Sequence, residues 1–167
     1  PELGGVEGRL FCPWSETAQK YLYEATYGVF KAVPHLGGII NISHGETPTT
    51  CFSSIGANEN TRSACRVCGK KEPWEVLRQT LSPMAQGIHD ANPDAELIAW
   101  LYMSDVWSDS DLADWVYEIP KHLPENVVLQ FNFESGMVKE VFGRGRKGGD
   151  YWLSMPGPSS RFERMAY

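Results

Sequence analysis

The chain has 167 residues, of which 42% are hydrophobic, enough to bury the core of one ordinary domain. Its 15 basic and 21 acidic residues give a net charge of -6, which argues against nucleic acid as a partner because phosphate backbones attract basic surfaces. No apolar run approaches the roughly 20 residues needed to cross a bilayer, so we also expect no membrane partner.

The first half of the chain shows one helix, one strand and a second helix. Apolar residues at three- and four-residue spacing predict an amphipathic helix over residues 16–33, after the N-cap Ser15. The β-branched run 39–42 predicts a buried strand. A polar, cysteine-containing loop is expected at about 44–71, and a second helix over residues 73–91, with a kink at Pro83.

The second half repeats this alternation. Residues 96–102 predict a second strand, residues 109–119 a helix, and residues 127–133 a third strand. We expect the glycine-containing segment after the third strand to be flexible, residues 151–155 to form a fourth strand, and a last helix to begin near Ser159.

Alternating strands and helices predict an α/β fold with a parallel sheet, because each helix must cover a sheet face before the chain returns. Four βα units would make a partial (β/α)8 barrel over residues 1–167; the alternative is an open doubly wound sheet. The chain begins at Pro1 rather than Met, so we expect a piece of a longer protein. Exposed sheet edges predict self-association or pairing with the remainder of that protein.

Three acidic residues follow three successive predicted strands: Glu46, Asp105 and Glu134. Carboxyl ends of parallel strands meet at one edge, where a cleft can raise the pKa of one carboxyl group and leave another ionised. That division of roles is what cleavage of a glycosidic bond requires. Glu46 is the predicted proton donor, because it follows an apolar strand and Gly45 beside it permits close approach of a substrate. The alternative for each carboxylate is a helix cap or a solvated position.

Polar and aromatic residues at the same strand ends are candidates for binding the substrate. His44 is suited to bonding Glu46 or a sugar hydroxyl, and Trp107 to stacking on a sugar ring, with loop packing as its alternative. Tyr102 and Asn132 complete the predicted substrate-binding set.

All four cysteines, Cys12, Cys51, Cys65 and Cys68, lie in the first 68 residues. The CxxC spacing of Cys65 and Cys68 suits two ligands of a tetrahedral ion, and the other two cysteines would complete a four-sulfur structural zinc site. Two disulfides and four unpaired thiols are the alternatives. Zinc would favour the cytoplasm and disulfides the periplasm or an extracellular location, so the sequence leaves the compartment open. No cofactor is expected for catalysis.

Several motifs together resemble bacterial proteins of the glycoside hydrolase family 20-like group, which are similar to hexosaminidase-type barrels. The motifs are Phe11-Cys12-Pro13, Val33-Pro34-His35-Leu36-Gly37-Gly38-Ile39, Ile42-Ser43-His44-Gly45-Glu46, Cys51-Phe52-Ser53, Cys65-Arg66-Val67-Cys68, Asn92-Pro93-Asp94-Ala95, Asn132-Phe133-Glu134-Ser135-Gly136 and Ser154-Met155-Pro156-Gly157-Pro158. The resemblance implies the C-terminal half of a (β/α)8 barrel, a carbohydrate substrate, and Glu46 as the proton donor.

One position departs from the hexosaminidase pattern. Those enzymes carry an adjacent Asp-Glu pair, in which the Asp orients the acetamido group of the substrate, whereas this chain has Gly45-Glu46. The resemblance therefore supports acid catalysis by Glu46 and not substrate-assisted cleavage. A non-catalytic carbohydrate-binding or degenerate barrel module, stabilised by zinc, is the alternative function, and a metal-stabilised interaction domain without a sugar ligand is a third.

Overall fold

The computed structural model of the chain describes residues 10–45, 49–53, 59–102, 112–133, 136, 138–147 and 158–166. Within these ranges the fold is mixed α/β, as predicted. In chain order the elements are α1 (Glu16–Ala32), β1 (Gly38–His44), α2 (Glu59–Ala64), a 3-10 turn (Cys68–Lys70), α3 (Pro73–Ala91), β2 (Glu96–Leu101), α4 (Asp114–Glu118), a 3-10 turn (Ile119–His122), β3 (Val127–Phe131), β4 (Val138–Val141), β5 (Arg144–Lys147) and α5 (Ser160–Ala166).

Strands β1, β2 and β3 form a parallel sheet in that order, which confirms the predicted parallel arrangement of βα units. Gly38 pairs with Glu96 at one end of the sheet, and Leu101 pairs with Phe131 at the other. All three strands therefore end at the same edge, where loops from successive strands meet. The predicted fourth strand, residues 151–155, lies outside the described residues.

The two long helices begin where their capping residues predict. The Ser15 side chain accepts a hydrogen bond from the backbone N–H of Ala18, and Glu72 forms a capping box with Glu75 before α3. Helices α1 and α3 pack closely because Gly87 has no side chain at their contact. A Cβ there would lie 2.4 Å from the backbone oxygen of Tyr23.

The helices cover one face of the sheet. Leu97, Ala99 and Leu101 of β2 point toward this face and are fully buried, in clusters that also contain residues of α1, α3 and α4. The opposite face is open within the described residues: Ile40, Ile42 and Val128 each expose about half of their surface, at 57%, 53% and 47%. Parallel sheets are normally covered on both faces, so we expect this apolar face to pack against further structure.

Several predicted boundaries were wrong. The segment expected to be a loop at about 44–71 contains α2 and a 3-10 turn. Backbone hydrogen bonds from Gly69 to Cys65 and from Lys71 to Cys68 close this turn. The helix expected over 109–119 begins at Asp114 and continues as a 3-10 turn at Ile119, next to Pro120, which cannot donate a backbone hydrogen bond. The second and third strands end at Leu101 and Phe131, short of the predicted 102 and 133.

The segment expected to be flexible after the third strand contains an antiparallel β-hairpin. Strands β4 and β5 pair with Val138 opposite Lys147 and Val141 opposite Arg144. The two turn residues, Phe142 and Gly143, both have positive φ, at 53° and 71°. Positive φ at both central residues defines the two-residue hairpin turn that matches the twist of the strands, so the glycine supports a tight turn rather than flexibility.

Candidate metal centre and strand-end site

Three cysteines converge on one point beside the sheet edge. The Sγ atoms of Cys51, Cys65 and Cys68 all lie within 4.8 Å of one another, and Cys51 and Cys68 are fully buried. Ligands of a tetrahedral zinc ion bound at about 2.3 Å stand about 3.8 Å apart, so the three sulfurs need only small movements to bind one ion. We call this group the cysteine cluster; it is placed to bind a metal ion.

The backbone around the CxxC segment holds two of these sulfurs in a tight turn. The N–H of Gly69 donates to the carbonyl of Cys65 at 2.9 Å, and a Cβ at Gly69 would meet the carbonyl oxygen of Ser63 at 2.7 Å. The Arg62 guanidinium donates to the carbonyls of Cys68, at 3.0 Å, and Lys71. The turn is therefore fixed from both sides before any ion binds.

The electrostatics of the cysteine cluster favour a thiolate at Cys51. A hydrogen bond from the Cys68 thiol, opposed by burial and assisted by Cys65 and Arg62, lowers the pKa of Cys51 to about 7. The same hydrogen bond, together with burial, raises the pKa of Cys68 above its ordinary value. The hydrogen bond thus favours the thiolate form of Cys51, the donor that soft or borderline cations such as zinc prefer.

The fourth cysteine, Cys12, is also buried, although its sulfur is not part of the cluster. Its neighbour Phe11 donates a backbone hydrogen bond to the carbonyl of Thr49 at 2.9 Å, which brings the N-terminal segment alongside the turn that carries Cys51. All four cysteines lie in the described residues and all are free thiols, so none is joined in a disulfide.

The segment 49–53 is a compact turn, buried from Thr50 to Ser53, which we call the Cys51 turn. The Ser53 hydroxyl accepts hydrogen bonds from the backbone N–H groups of Thr49 and Thr50, at 2.8 and 3.0 Å. The Ser53 carbonyl accepts from the N–H of Gly45 at 2.8 Å. One short turn therefore connects a cysteine of the cluster to the end of β1.

A β-bulge at the end of β1 changes the direction in which His44 points. Ile42 pairs with Trp100 but His44 pairs with Leu101, so two residues of β1 oppose one of β2. The His44 ring packs edge-on against Phe52, at 5.5 Å between centroids, and lies 5.9 Å from Trp115. His44 is thus buried on the side covered by helices, next to the Cys51 turn.

Four residues lie on the other side of the sheet at the same edge. We call them the strand-end site: Gly45, Trp100, Tyr102 and Asn132. Trp100 and Tyr102 lie two residues apart on β2 and pack edge to face at 5.0 Å. The Trp100 indole N–H donates to Asn132 Oδ1 at 2.8 Å. That bond fixes the orientation of the amide, because only its oxygen can accept.

The fixed amide leaves one donor at the strand-end site unsatisfied by the described residues. Asn132 is 6% exposed, and its Nδ2 atom is buried with no hydrogen-bond partner among the described residues. A buried donor without a partner costs about 1–3 kcal/mol, which a bound acceptor would recover. Such a donor is therefore a direct indication of a ligand or neighbouring acceptor at this edge.

Gly45 lies at the strand-end site with little free space beside its Cα. A Cβ at this position would lie 2.3 Å from Ile42 Cγ2 and 3.5 Å from Tyr102 Cδ1. Any residue larger than glycine therefore requires Ile42 to move.

Of the predicted site residues, the structure brings Tyr102 and Asn132 to one edge and turns His44 to the other side of the sheet. The predicted acids Glu46, Asp105 and Glu134, and the predicted stacking residue Trp107, lie outside the described residues. Trp100 was not predicted as a site residue. Its alternation with Ile98 and Tyr102 indicates a shared face, but only the pairing of β2 with β3 brings it to Asn132.

Comparison of the chain with models of protein families, with curated proteins and with solved structures gave no match. Within the described residues, no helix is long and apolar enough to cross a membrane.

Proposed function

We propose that this chain is a glycoside hydrolase-like domain that binds a glycan at the strand-end site and cleaves it by acid–base catalysis. The observation that carries the proposal is the buried Asn132 Nδ2 donor, held in place by Trp100 beside Tyr102. Sugars present hydroxyl oxygens that accept such a bond and apolar C–H faces that pack on aromatic rings.

The catalytic roles in this proposal belong to the acids that follow the three strands. Glu46 comes directly after Gly45 and acts as the proton donor, while Asp105 or Glu134 serves as the second carboxylate. His44 and Trp107 remain proposed substrate-binding residues. His44 would act from beside the Cys51 turn, where its ring contacts Phe52.

The open face of the sheet supports a barrel for the complete fold. In a (β/α)8 barrel the helices cover the outside of the sheet, and side chains from alternate strands fill the inside. Ile40, Ile42 and Val128 would be inner residues of this kind, packed against further strands. The alternative, an open doubly wound sheet, would need helices on this face instead.

We further propose that the cysteine cluster binds a structural zinc ion, with Cys12 as the fourth ligand. Thiolate ligands and the absence of carboxylates from the cluster favour zinc over magnesium or calcium. Cys12 is buried, and its neighbour Phe11 bonds to Thr49 of the Cys51 turn, which supports Cys12 as the remaining ligand. A closed four-sulfur site is structural, because it keeps no open position for a substrate.

The glycan proposal is tested by an isosteric change. Asn132→Asp removes the Nδ2 donor but keeps an oxygen for the Trp100 indole, so it should weaken glycan affinity about tenfold or more while the fold is kept. Affinities are measured by calorimetry on a ligand chosen from a glycan array. Equal affinity in the variant would contradict the assignment of the strand-end site.

The catalytic part is tested separately with Glu46→Gln. The variant should bind the same glycan and release no reducing ends, because it cannot donate the proton. Unchanged turnover would exclude Glu46 as the acid. Binding by the unaltered chain over hours without any released reducing ends would instead favour the non-catalytic carbohydrate-binding function.

A further inference from the structure

The hairpin β4–β5 carries a residue in an unfavourable backbone conformation at its tip. Phe142 has a φ of 53°, in the left-handed region where Asn, Asp and Gly are preferred and a bulky side chain is strained. It is also fully exposed, at 101% of its reference surface. A protein gains nothing in stability from a strained phenylalanine in water, so this position indicates contact with something outside the described residues.

The same hairpin is strongly basic in an acidic protein. Residues 138–147 hold four basic residues and one acidic residue, a net charge of +3, while the whole chain carries -6. The exposed Arg144 sits next to the turn. The net positive charge of the hairpin and the exposed Arg144 therefore favour an anionic ligand.

The hairpin is close to the strand-end site along the chain. Val138 follows Asn132 by six residues, a span of at most about 20 Å even when fully extended. Its base therefore lies within one short oligosaccharide of the Asn132 donor. An extended polymer with anionic groups could contact both at once.

We infer that the hairpin binds acidic polysaccharide, with Phe142 stacking on a sugar ring and Arg144 pairing with carboxylate or sulfate groups. This inference rests on the proposed glycan function and narrows its substrate class to anionic glycans. A glycan is favoured over nucleic acid or an anionic membrane because the hairpin follows Asn132 by only six residues, so one polymer could occupy both the strand-end site and the hairpin.

The test uses two matched pairs of polymers: polygalacturonate with its methyl ester, and dextran sulfate with dextran. The unaltered chain should bind the acidic polymer of one pair at least about tenfold more tightly than the uncharged polymer of that pair. Preference for polygalacturonate would indicate recognition of carboxylate, and preference for dextran sulfate recognition of sulfate. Phe142→Ala and Arg144→Glu should each weaken that binding about tenfold, and added salt should weaken it further. Lys20→Glu is the control, because it makes the same charge change at an exposed lysine of α1.

The inference is overturned by equal binding of both members of each pair, by equal loss in Arg144→Glu and Lys20→Glu, or by tighter binding of phosphatidylserine vesicles or a DNA oligonucleotide than of either acidic polymer. Asn132→Asp separates the two proposals. If Phe142→Ala and Arg144→Glu weaken binding but Asn132→Asp does not, the result supports the hairpin site and contradicts the strand-end site. If Asn132→Asp weakens binding but both hairpin variants bind normally, the result supports the strand-end site and contradicts the hairpin site. If the unaltered chain binds none of the four polymers, both proposals are overturned.

Discussion

The backbone N–H of Gly45 donates to the carbonyl of Ser53 at 2.8 Å, and this bond joins the end of β1 to the turn that carries Cys51. On the other side of the same turn, Phe52 packs against His44 and Trp115. The Cys51 turn therefore connects the cysteine cluster to the strand-end site. Whatever holds Cys51 also holds the backbone that precedes Glu46.

Metal removal should therefore loosen the end of β1 before it loosens α1. We expect zinc, measured by plasma mass spectrometry, at about one ion per chain, and faster hydrogen exchange at the Gly45 amide after chelation, by about tenfold or more. The amides of α1 and of the C-terminal half of α3 should keep their protection, because the core around Phe30 and Leu81 contains no residue of the cysteine cluster. Equal acceleration in both places would mean that the ion supports the whole fold and not this edge.

Ser53→Ala provides the matched variant for this coupling. It removes the hydroxyl that accepts from Thr49 and Thr50 but leaves all four cysteines in place. Coupling is reciprocal, so the variant should raise Gly45 exchange with zinc bound and also weaken zinc affinity. An unchanged zinc affinity together with unchanged Gly45 exchange would show that the turn does not link the two sites.

The role of Cys12 is tested with cobalt in place of zinc. A four-sulfur site and a three-sulfur site differ in the intensity of the sulfur-to-cobalt absorption bands. We expect Cys12→Ser to lower this intensity by about one quarter and to weaken affinity, while Cys51→Ser abolishes the tetrahedral spectrum. A Cys12→Ser spectrum identical to that of the unaltered chain would leave Cys12 as an ordinary buried thiol.

Local signals in the sequence were sufficient for the starts of the long helices and for grouping Cys65 with Cys68, whereas Cys12, also predicted as a ligand, lies outside the cluster. Ser15 and Pro73 are strong start signals, so α1 and α3 begin at the predicted residues, and the CxxC spacing correctly indicated a shared site. The bulge before His44 could not be predicted, because strict alternation places His44 on the same face as Ile42. The bond between Trp100 and Asn132 depends on the register of two strands, which no short motif encodes.

The close contact of α1 with α3 predicts opposite effects of one substitution at two glycines. Gly87→Ala places a Cβ 2.4 Å from the Tyr23 carbonyl and should lower the free energy of unfolding by roughly 1–3 kcal/mol. Gly28→Ala, in α1, has no atom within 4 Å and should raise it by roughly 0.5–1 kcal/mol through helix propensity. Urea unfolding monitored by circular dichroism measures both. Destabilisation by both variants would contradict the packing described here.

The strain at Phe142 predicts a gain in stability at the expense of binding. Phe142→Asn should relieve the left-handed conformation, because Asn adopts positive φ readily, and should stabilise the hairpin by roughly 1 kcal/mol. Hydrogen exchange of the β4–β5 amides should then slow about fivefold, since 1.4 kcal/mol corresponds to a factor of ten. Phe142→Ala is the control: it removes the ring but keeps the strained conformation, so its exchange should not slow. If Phe142→Asn leaves hydrogen exchange unchanged while both variants bind acidic glycan less tightly, the Phe142 ring binds the ligand but its backbone is not strained. If both variants bind acidic glycan as the unaltered chain does, Phe142 has no part in binding.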